Sequence, residues 1–440
     1  MKFDRLVGAA VVAAAVALAA GPAPVRAGLT AEETRLNIES FEYIWRTIRD
    51  QHFDPTLGGL DWQAVRAELR PTVERAETKQ EARAAMREMI GRLRQSHFNI
   101  IASEAYANID SPAKKGDVGG TTGIEIRVID GEAVVVGAPP GTPGGDAGVR
   151  PGWIVRRIDD ADIPSLLPSI EKEFEGNPRK DLYLARSVIG RLHGAIGDTL
   201  RVSFLDERDR PVERILALAE EPGKKIVFGN FPPFYLRTEA KTLDGRIGYF
   251  SFSVFFDPLT LMPEYESAMR SFMDAPGVVI DIRGNPGGIG AIPIGMAGWF
   301  IDEKNRDIGT MRTRDNTLRF VVNPRARVYR GPVAILVDGL SGSSSEIFAG
   351  GVQGYPRVKI IGERTIGATL PSIAERLPNG DGFQYATASY IARDGSELEG
   401  TGVVPDIEAR LTREALLAGR DPALEAAIDW IGSQEYNGGK

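Results

Sequence analysis

Apolar positions run almost unbroken from Leu6 to Ala20, and no comparable run recurs in the chain. Lys2 and Arg5 precede the run, Gly21, Pro22 and Pro24 break it, and Val25 and Ala27 provide the small-residue pattern of a cut after Ala27. A charged start, a short apolar stretch and small residues are the organisation of a secretory signal over 1–27. A membrane-spanning helix needs roughly 20 apolar residues, so the segment predicts export to the periplasm or medium with no stable membrane insertion after cleavage.

Over 28–112 the apolar spacing is three and four. Ile38, Phe41, Ile44, Trp45 and Ile48 share one face, as do Ala82, Ala85, Met86, Met89, Ile90 and Leu93, which predicts an N-terminal helical domain. SPAKKGDVGG at 111–120 reads as a linker. From there the period shortens to two. GIEIRVID, EAVVVGAPP, Trp153–Ile158 and Thr199–Leu205 predict strands, with a helix near 179–192, in a unit spanning 115–218. Over 226–412 the pattern alternates. Strands are expected at Arg246–Phe252, Val278–Ile282, Val333–Val337 and Val358–Ile361, with helices at 258–274, 289–300 and 344–354 between them. Strand–helix alternation predicts parallel βαβ units, and so an α/β multidomain protein. A terminal helix is expected over 412–432, within a final segment of 413–440.

Composition narrows the chemistry. The 440 residues allow two to four domains at roughly 100–200 residues each. Net charge is −7, and −9 once residues 1–27 with Lys2, Arg5, Arg26 and Asp4 are removed, so there is no basic footprint for nucleic acid. Absence of cysteine excludes disulfides, thiolate metal sites and a cysteine nucleophile. His52, His97 and His193 are the only imidazoles, and no metal constellation or phosphate cradle is found, so no cofactor is implied.

Four stretches can carry chemistry. In VDGLSGSSSEIFAGGVQ, an apolar strand runs through a small-residue turn into a helix near Ser344. A serine at such a turn exposes its hydroxyl beside the N–H groups of a helix start, where an oxyanion is stabilised. Ser343-x-x-Glu346 also fits a capping box, and the string of serines does not say which one matters. In VVIDIRGNPGG the glycines after Asp281 and Arg283 suit either close backbone approach or a plain turn. His97, in RLRQSHFNII, ends a helical pattern beside apolar residues, as a structural histidine also would. Glu397 and Glu399, before GVVPDI, are ordinary solvated acids or the orienting member of a triad.

In order, DIRGNPGG, VDGLSGSSSEIFAGGVQGY, KIIGERTIGAT and LEGTGVVPDI strongly resemble the core of the C-terminal processing (tail-specific) serine peptidases. GTPGGDAGVRPGWIVRRIDD resembles part of the PDZ domain that this family inserts before its catalytic core. The resemblance implies a PDZ-like domain at 115–218, a ClpP/crotonase-like α/β core at 226–412 and a serine nucleophile at Ser343. The family's Ser–Lys members carry lysine after the G-E-x-T-x-G string. Here Gly362–Gly367 is intact but Ala368 follows, and Gly354 replaces the usual aspartate beside Tyr355. An alanine takes no proton. A second branch, the tricorn-like proteases and the chlamydial protease-like activity factor, uses histidine and glutamate, and its pattern matches His97 and Glu399.

The resemblance therefore implies a Ser343–His97–Glu399 triad acting on a polypeptide substrate, unfolded or with an exposed C-terminus. Its oxyanion donors would be Ser344 and the Gly287–Gly288 loop. Gly123, Ile124, Glu125 and Ile126 match the loop and strand by which PDZ domains add a peptide. An imidazole of ordinary pKa near 6.5 predicts activity falling below about pH 6. Two other outcomes are compatible with the fold: a catalytically inactive relative that binds peptide or an apolar ligand, and a hydrolase of small esters or amides.

Overall fold

The computed structural model describes residues 28–106, 114–177 and 179–434. The secretory signal expected at 1–27 lies outside the described residues, as do 111–113 of the expected linker and 435–440 of the tail. Among the described residues no helix is long and apolar enough to cross a membrane.

Three helices come first: Ala31–Gln51, Trp62–Glu74 and Lys79–Gly91. Each starts at an oxygen-bearing side chain that accepts a first-turn N–H, from Thr30, Asp61 and Thr78 respectively. The stripe Phe41, Ile44, Trp45 and Ile48 is buried against Val65, Leu69, Met86 and Met89. This core also contains Phe383 and Tyr385, from the hairpin Ser372–Arg376 with Gly382–Ala386. The strand Asn99–Ile101 pairs antiparallel with that hairpin, Asn99 opposite Gln384 and Ile101 opposite Gly382. His97 thus sits where the helical part is sewn to the distant end of the sequence.

A buried ion pair closes the same seam. Arg83 donates to Asp381 through Nε at 2.9 Å and Nη2 at 2.7 Å, and the Asp381 side chain is 1% exposed. Removing one member of such a pair strands the other charge away from water. Arg83→Ala is expected to cost about 3–5 kcal/mol in urea unfolding. A loss below about 1 kcal/mol would show that the seam is held by its apolar contacts alone.

Residues 114–220 form a second unit built on an antiparallel sheet. Its strands lie in the order Glu125–Ile129, Glu132–Gly137, Ile154–Ile158, Thr199–Leu205, Pro211–Ala217. Helices Ile163–Glu173 and Lys180–Ile189 cover a core of Ile126, Val135, Val155, Leu167, Val188 and Phe204. Glu125–Ile129 is an edge strand with the Lys180–Ile189 helix packed beside it. Part of the expected linker is a strand: Val118–Thr121 pairs with His193–Ala195 and Ala219–Glu220. The composition of 111–120 suggested a linker. Gly120, however, sits so close to Ala195 that an added Cβ would come within 2.9 Å of its backbone.

The third part carries a six-stranded sheet in the order Thr238–Leu243, Ile247–Phe252, Val278–Asp281, Val333–Val337, Val358–Gly362, Ile407–Glu408. The first pair is antiparallel and the rest are parallel. Both faces of the four inner strands are covered, which is why those strands read as largely apolar runs, whereas the edge strand Thr238–Leu243 is polar and mostly exposed. Val278, Ile280, Ile335 and Val337 face a core with the helices Pro258–Ser271, Ala291–Ala297 and Ser344–Val352. Val279, Ala334 and Leu336 face Ala423, Ala427 and Ile431 of the last helix. The expected terminal helix is two helices, Arg413–Leu417 and Pro422–Gly432. Gly419 at φ +68° ends the first, and Asp421 caps the second.

Candidate active site

The buried strand Val333–Val337 delivers the chain to a turn at 338–343 that enters the helix Ser344–Val352. Parallel pairing with Val278–Asp281 puts the Gly284–Gly288 loop beside that turn. Gly342 N–H donates to Asn285 C=O at 3.0 Å, and a Cβ on Gly287 would stand 2.6 Å from Ser343 Cβ.

The serines are distinguished by what their hydroxyls do. Ser341 Oγ donates to Ile282 C=O, Ser344 Oγ to Gly288 C=O and Ser345 Oγ to Asn285 C=O, each at 2.8 Å. These three are buried, whereas Ser343 is half-buried and its hydroxyl makes no hydrogen bond among the described residues. Ser343 also adopts φ 53°, ψ −117°, a conformation costing of order 1–3 kcal/mol that the surrounding turn must hold in place. The capping-box arrangement of Ser343 and Glu346 is present: Glu346 Oε2 accepts Ser343 N–H at 3.0 Å, and Glu346 N–H donates to the Ser343 carbonyl at 2.9 Å.

Glu346 gathers the Thr365–Ala368 segment behind it. Its buried carboxylate accepts from Thr365 Oγ1 (2.6 Å), Gly367 N–H (2.7 Å) and Ala368 N–H (2.9 Å). Burial pushes its pKa up to about 7, against those donors. Ala368 returns a contact by accepting Ser343 N–H at 2.9 Å. Lys359, on the strand Val358–Gly362, makes no contact with this cluster among the described residues.

A hydrogen-bonded path leads on from Ala368. Thr369 N–H donates to Glu399 Oε2 at 3.0 Å, Ser96 Oγ donates to the same oxygen at 2.8 Å, and Ser96 N–H reaches Oε1 at 2.8 Å. His97 Nδ1 lies 2.7 Å from Ser96 Oγ. Glu399 and His97 are therefore brought together through Ser96 and not by a direct bond. Among the described residues no hydrogen bond joins His97 to Ser343, although the path between them runs through adjacent residues. Catalytic hydrogen bonds of an unliganded enzyme are commonly long and tighten with substrate bound.

The bridge assigns a tautomer. An ionised carboxylate only accepts, so the single Ser96 hydroxyl proton points to Glu399. His97 Nδ1 must then carry the proton it shares with Ser96, leaving the Nε2 lone pair as the base. Burial pulls the ring's pKa down to about 4, with the charges of Arg186 and then Arg179 adding to the effect. With the ring so shifted, the acid limb is expected below the roughly pH 6 of an ordinary imidazole. Ser96 bonds the ring at Nδ1, and the lowered pKa keeps it neutral at lower pH. The acid limb of kcat/KM is expected near pH 4, in a profile measured over pH 3.5–8. A limb remaining at pH 6 would mean that the ring is solvated in solution.

His52 and His193 are engaged elsewhere. His52 is buried between Asp54 C=O and Gln95 Oε1, and His193 bonds Ile189 C=O in the second unit.

The oxyanion candidates divide. Gly287 N–H is held by Asn285 Oδ1 at 2.9 Å, while the N–H groups of Ser344 and Gly288 have no partner among the described residues. Gly123 and Ile124 N–H groups donate to the Thr121 and Thr122 hydroxyls at 3.0 and 3.3 Å, so a carboxylate there must displace them. Glu125 and Ile126 begin the edge strand, with Ile126 buried in its core.

Two arginines of the second unit reach the site, and neither is foreshadowed by a motif. Arg127 donates to Asp338 Oδ2 through Nη2 at 2.6 Å and Nε at 2.8 Å. Asp338 Oδ1 accepts from Gly284 N–H at 2.8 Å and Leu340 N–H at 3.0 Å, tying the two site loops together. Burial opposes ionisation of Asp338, but Arg127 and these donors outweigh it and hold the carboxyl below its usual range. Arg179, at the start of the Lys180–Ile189 helix, places Nη1 3.2 Å from Glu399 Oε1. Ser96 had a faint signal in its adjacency to His97. A cleft of about 1150 Å³ between the second unit and the core sheet is lined by Arg127, Arg283 and Asp338, but by none of Ser343, His97 or Glu399.

Comparison with known proteins fits this geometry. Residues 246–409 match Peptidase family S41, and residues 38–91 match the Tricorn protease C1 domain. A tricorn protease homolog of Streptomyces coelicolor is 25% identical over 89% of this chain, which spans only 32% of that relative's length. A carboxyl-terminal-processing protease of Synechocystis is 24% identical over 91% of this chain and 87% of its own. Among solved structures, the photosystem II D1 C-terminal processing protease aligns with a TM-score of 0.55 at 21% identity, over 92% of this chain and 98% of its own. Mature CPAF complexed with lactacystin aligns at 0.62 with 13% identity, over 91% and 98%. At such identities the structural likeness speaks for the fold, while the matched family domains, set on a turn that exposes one serine hydroxyl, speak for the chemistry. Residues 246–409 thus carry the match to Peptidase family S41, and with the carboxyl-terminal-processing relatives it supports a serine-type peptidase.

Proposed function

We propose that this protein is an exported endopeptidase that cleaves unfolded or C-terminally exposed polypeptides, with Ser343 as nucleophile, His97 as base and Glu399 orienting the base through Ser96. The observation that carries the reading is the Glu399–Ser96–His97 path ending one residue from the Ala368 carbonyl that holds Ser343. In attack, His97 Nε2 takes the Ser343 proton and later returns it to the leaving amine. Glu399, through the Ser96 hydroxyl, stabilises the imidazolium. Ser344 and Gly288 N–H groups bind the oxyanion, with Gly287 shaping the turn between them. The alanine at 368 removes the ammonium base, and the imidazole takes its place.

In this reading residues 115–218 are a PDZ-like domain. Its edge strand from Glu125, beside the Lys180–Ile189 helix, is the place for an added peptide strand. The parallel sheet with helices on both faces is a ClpP/crotonase-like core. Export rests on the 1–27 pattern.

The test is covalent labelling by a fluorophosphonate probe, coupled to peptide cleavage. Labelling is expected in the wild-type chain and absent in Ser343→Ala. Labelling that persists in Ser343→Ala would overturn the nucleophile, and a chain that neither labels nor cleaves would be a binding relative. Labelling with cleavage of esters alone would make it a small-ester hydrolase.

A further inference from the structure

The Glu399 carboxylate is saturated with donors. Its Oε2 accepts Thr369 N–H at 3.0 Å and the Ser96 hydroxyl at 2.8 Å, and its Oε1 accepts Ser96 N–H at 2.8 Å and Arg179 Nη1 at 3.2 Å. The two oxygens of a carboxylate offer about four lone-pair sites, so a fifth donor finds no place. Thr369, whose N–H fills one of those sites, carries such a donor. Its side chain is 0% exposed, and its hydroxyl has no hydrogen-bond partner among the described residues. The residue stands at a junction. It follows Ala368, whose carbonyl accepts Ser343 N–H and whose own N–H donates to Glu346, so the orphaned hydroxyl lies between the nucleophile turn and the acid.

A buried hydroxyl without a partner destabilises the resting fold, and such a group calls for an explanation. The resting arrangement is not the reacting one. No hydrogen bond joins His97 to Ser343 among the described residues, and His97 is held at φ 60°, a conformation that non-glycine residues adopt under strain. Bringing Nε2 onto the Ser343 hydroxyl moves the backbone at 96–97. Ser96 supplies two of the four bonds to Glu399, so the shift lengthens its N–H bond to Oε1 while its hydroxyl follows by rotation. A place on the carboxylate opens. Building on the triad reading, we propose that Thr369 is a positioning residue whose hydroxyl turns onto Glu399 as the reacting form is reached and holds the carboxylate toward the imidazolium. This bond is absent in the ground state and present in the transition state, so it raises kcat without tightening substrate binding.

The test compares Thr369→Val, which keeps the branched shape and removes the hydroxyl, with Thr369→Ser, which keeps the hydroxyl. In peptide cleavage by the full chain, Thr369→Val is expected to lower kcat by roughly 10- to 100-fold, the worth of a hydrogen bond to a charged group, with KM unchanged. Thr369→Ser should restore most of the rate. The thermal unfolding midpoint of Thr369→Val should equal or exceed that of wild type, because no resting bond is lost. A merely structural threonine would instead lower midpoint and rate together. In Ser96→Ala the missing hydroxyl vacates a place on Oε2, which Thr369 then fills, so adding Thr369→Val there should lower the midpoint. A wild-type kcat in Thr369→Val, a rate loss matched by a lowered midpoint, or the same midpoint change in both backgrounds overturns the proposal. Failure of the triad reading would instead show as probe labelling that is absent or survives Ser343→Ala, and the two midpoint comparisons then decide on the hydroxyl alone.

Discussion

Ser343→Ala is expected to lower kcat by roughly 10⁴- to 10⁶-fold while leaving the unfolding free energy within about 1 kcal/mol of wild type. The two readouts separate because the Ser343 hydroxyl makes no hydrogen bond among the described residues, so its removal strands no partner. Its neighbours predict the reverse. Ser345→Ala deprives the Asn285 carbonyl, and Ser341→Ala the Ile282 carbonyl, of a buried donor. Both carbonyls keep a backbone donor, from Gly342 and Asn285 respectively, so each change should cost about 0.5–1.5 kcal/mol of stability and retain probe labelling. His97→Ala should resemble Ser343→Ala in rate, and the double variant should be little worse than either, because nucleophile and base act as one unit. Near-wild-type turnover in Ser343→Ala, or additive losses in the double variant, would contradict the assignment.

The second large effect is expected at Gly287, whose φ of +102° disfavours any side chain. An added Cβ would fall 2.6 Å from Ser343 Cβ and 2.7 Å from both Gly342 O and Ser344 N. Three of the atoms that define the nucleophile turn would have to move, and the Ser344 and Gly288 N–H groups would lose their common focus. Loss of one oxyanion donor is worth roughly 10²–10³ in kcat, so Gly287→Ala should fall by at least that factor. The backbone strain itself should cost only about 1–3 kcal/mol, and circular dichroism should show a folded chain. A variant with kcat within tenfold of wild type would remove this loop from the reaction.

The N-terminal helices, the edge-strand unit and the parallel sheet were legible because burial writes a period into the sequence: 3.6 for a one-sided helix, 2 for a half-buried strand, and a solid apolar run where both faces are covered. The strand at Val118–Thr121 was not, because its partners at 193–195 and 219–220 lie far away in sequence and its glycines read as a linker, and the pairing of 309–313 with 388–392 likewise joins distant segments.

At the site, the strand-to-helix turn and the missing lysine at Ala368 were visible in the order of residues. Which serine has an unengaged hydroxyl was not, since that depends on three carbonyls supplied by the Ile282–Gly288 segment. Likewise, nothing local announces that Ser96 stands between His97 and Glu399, or that Arg127 and Arg179 arrive from another unit. Residue type and spacing along the chain determined what chemistry was available here. Only the packing of three separately built parts decided which groups meet and how strongly burial shifts their charge, because hydrogen bonds and desolvation act over a few ångströms of space and carry no mark in the sequence between them.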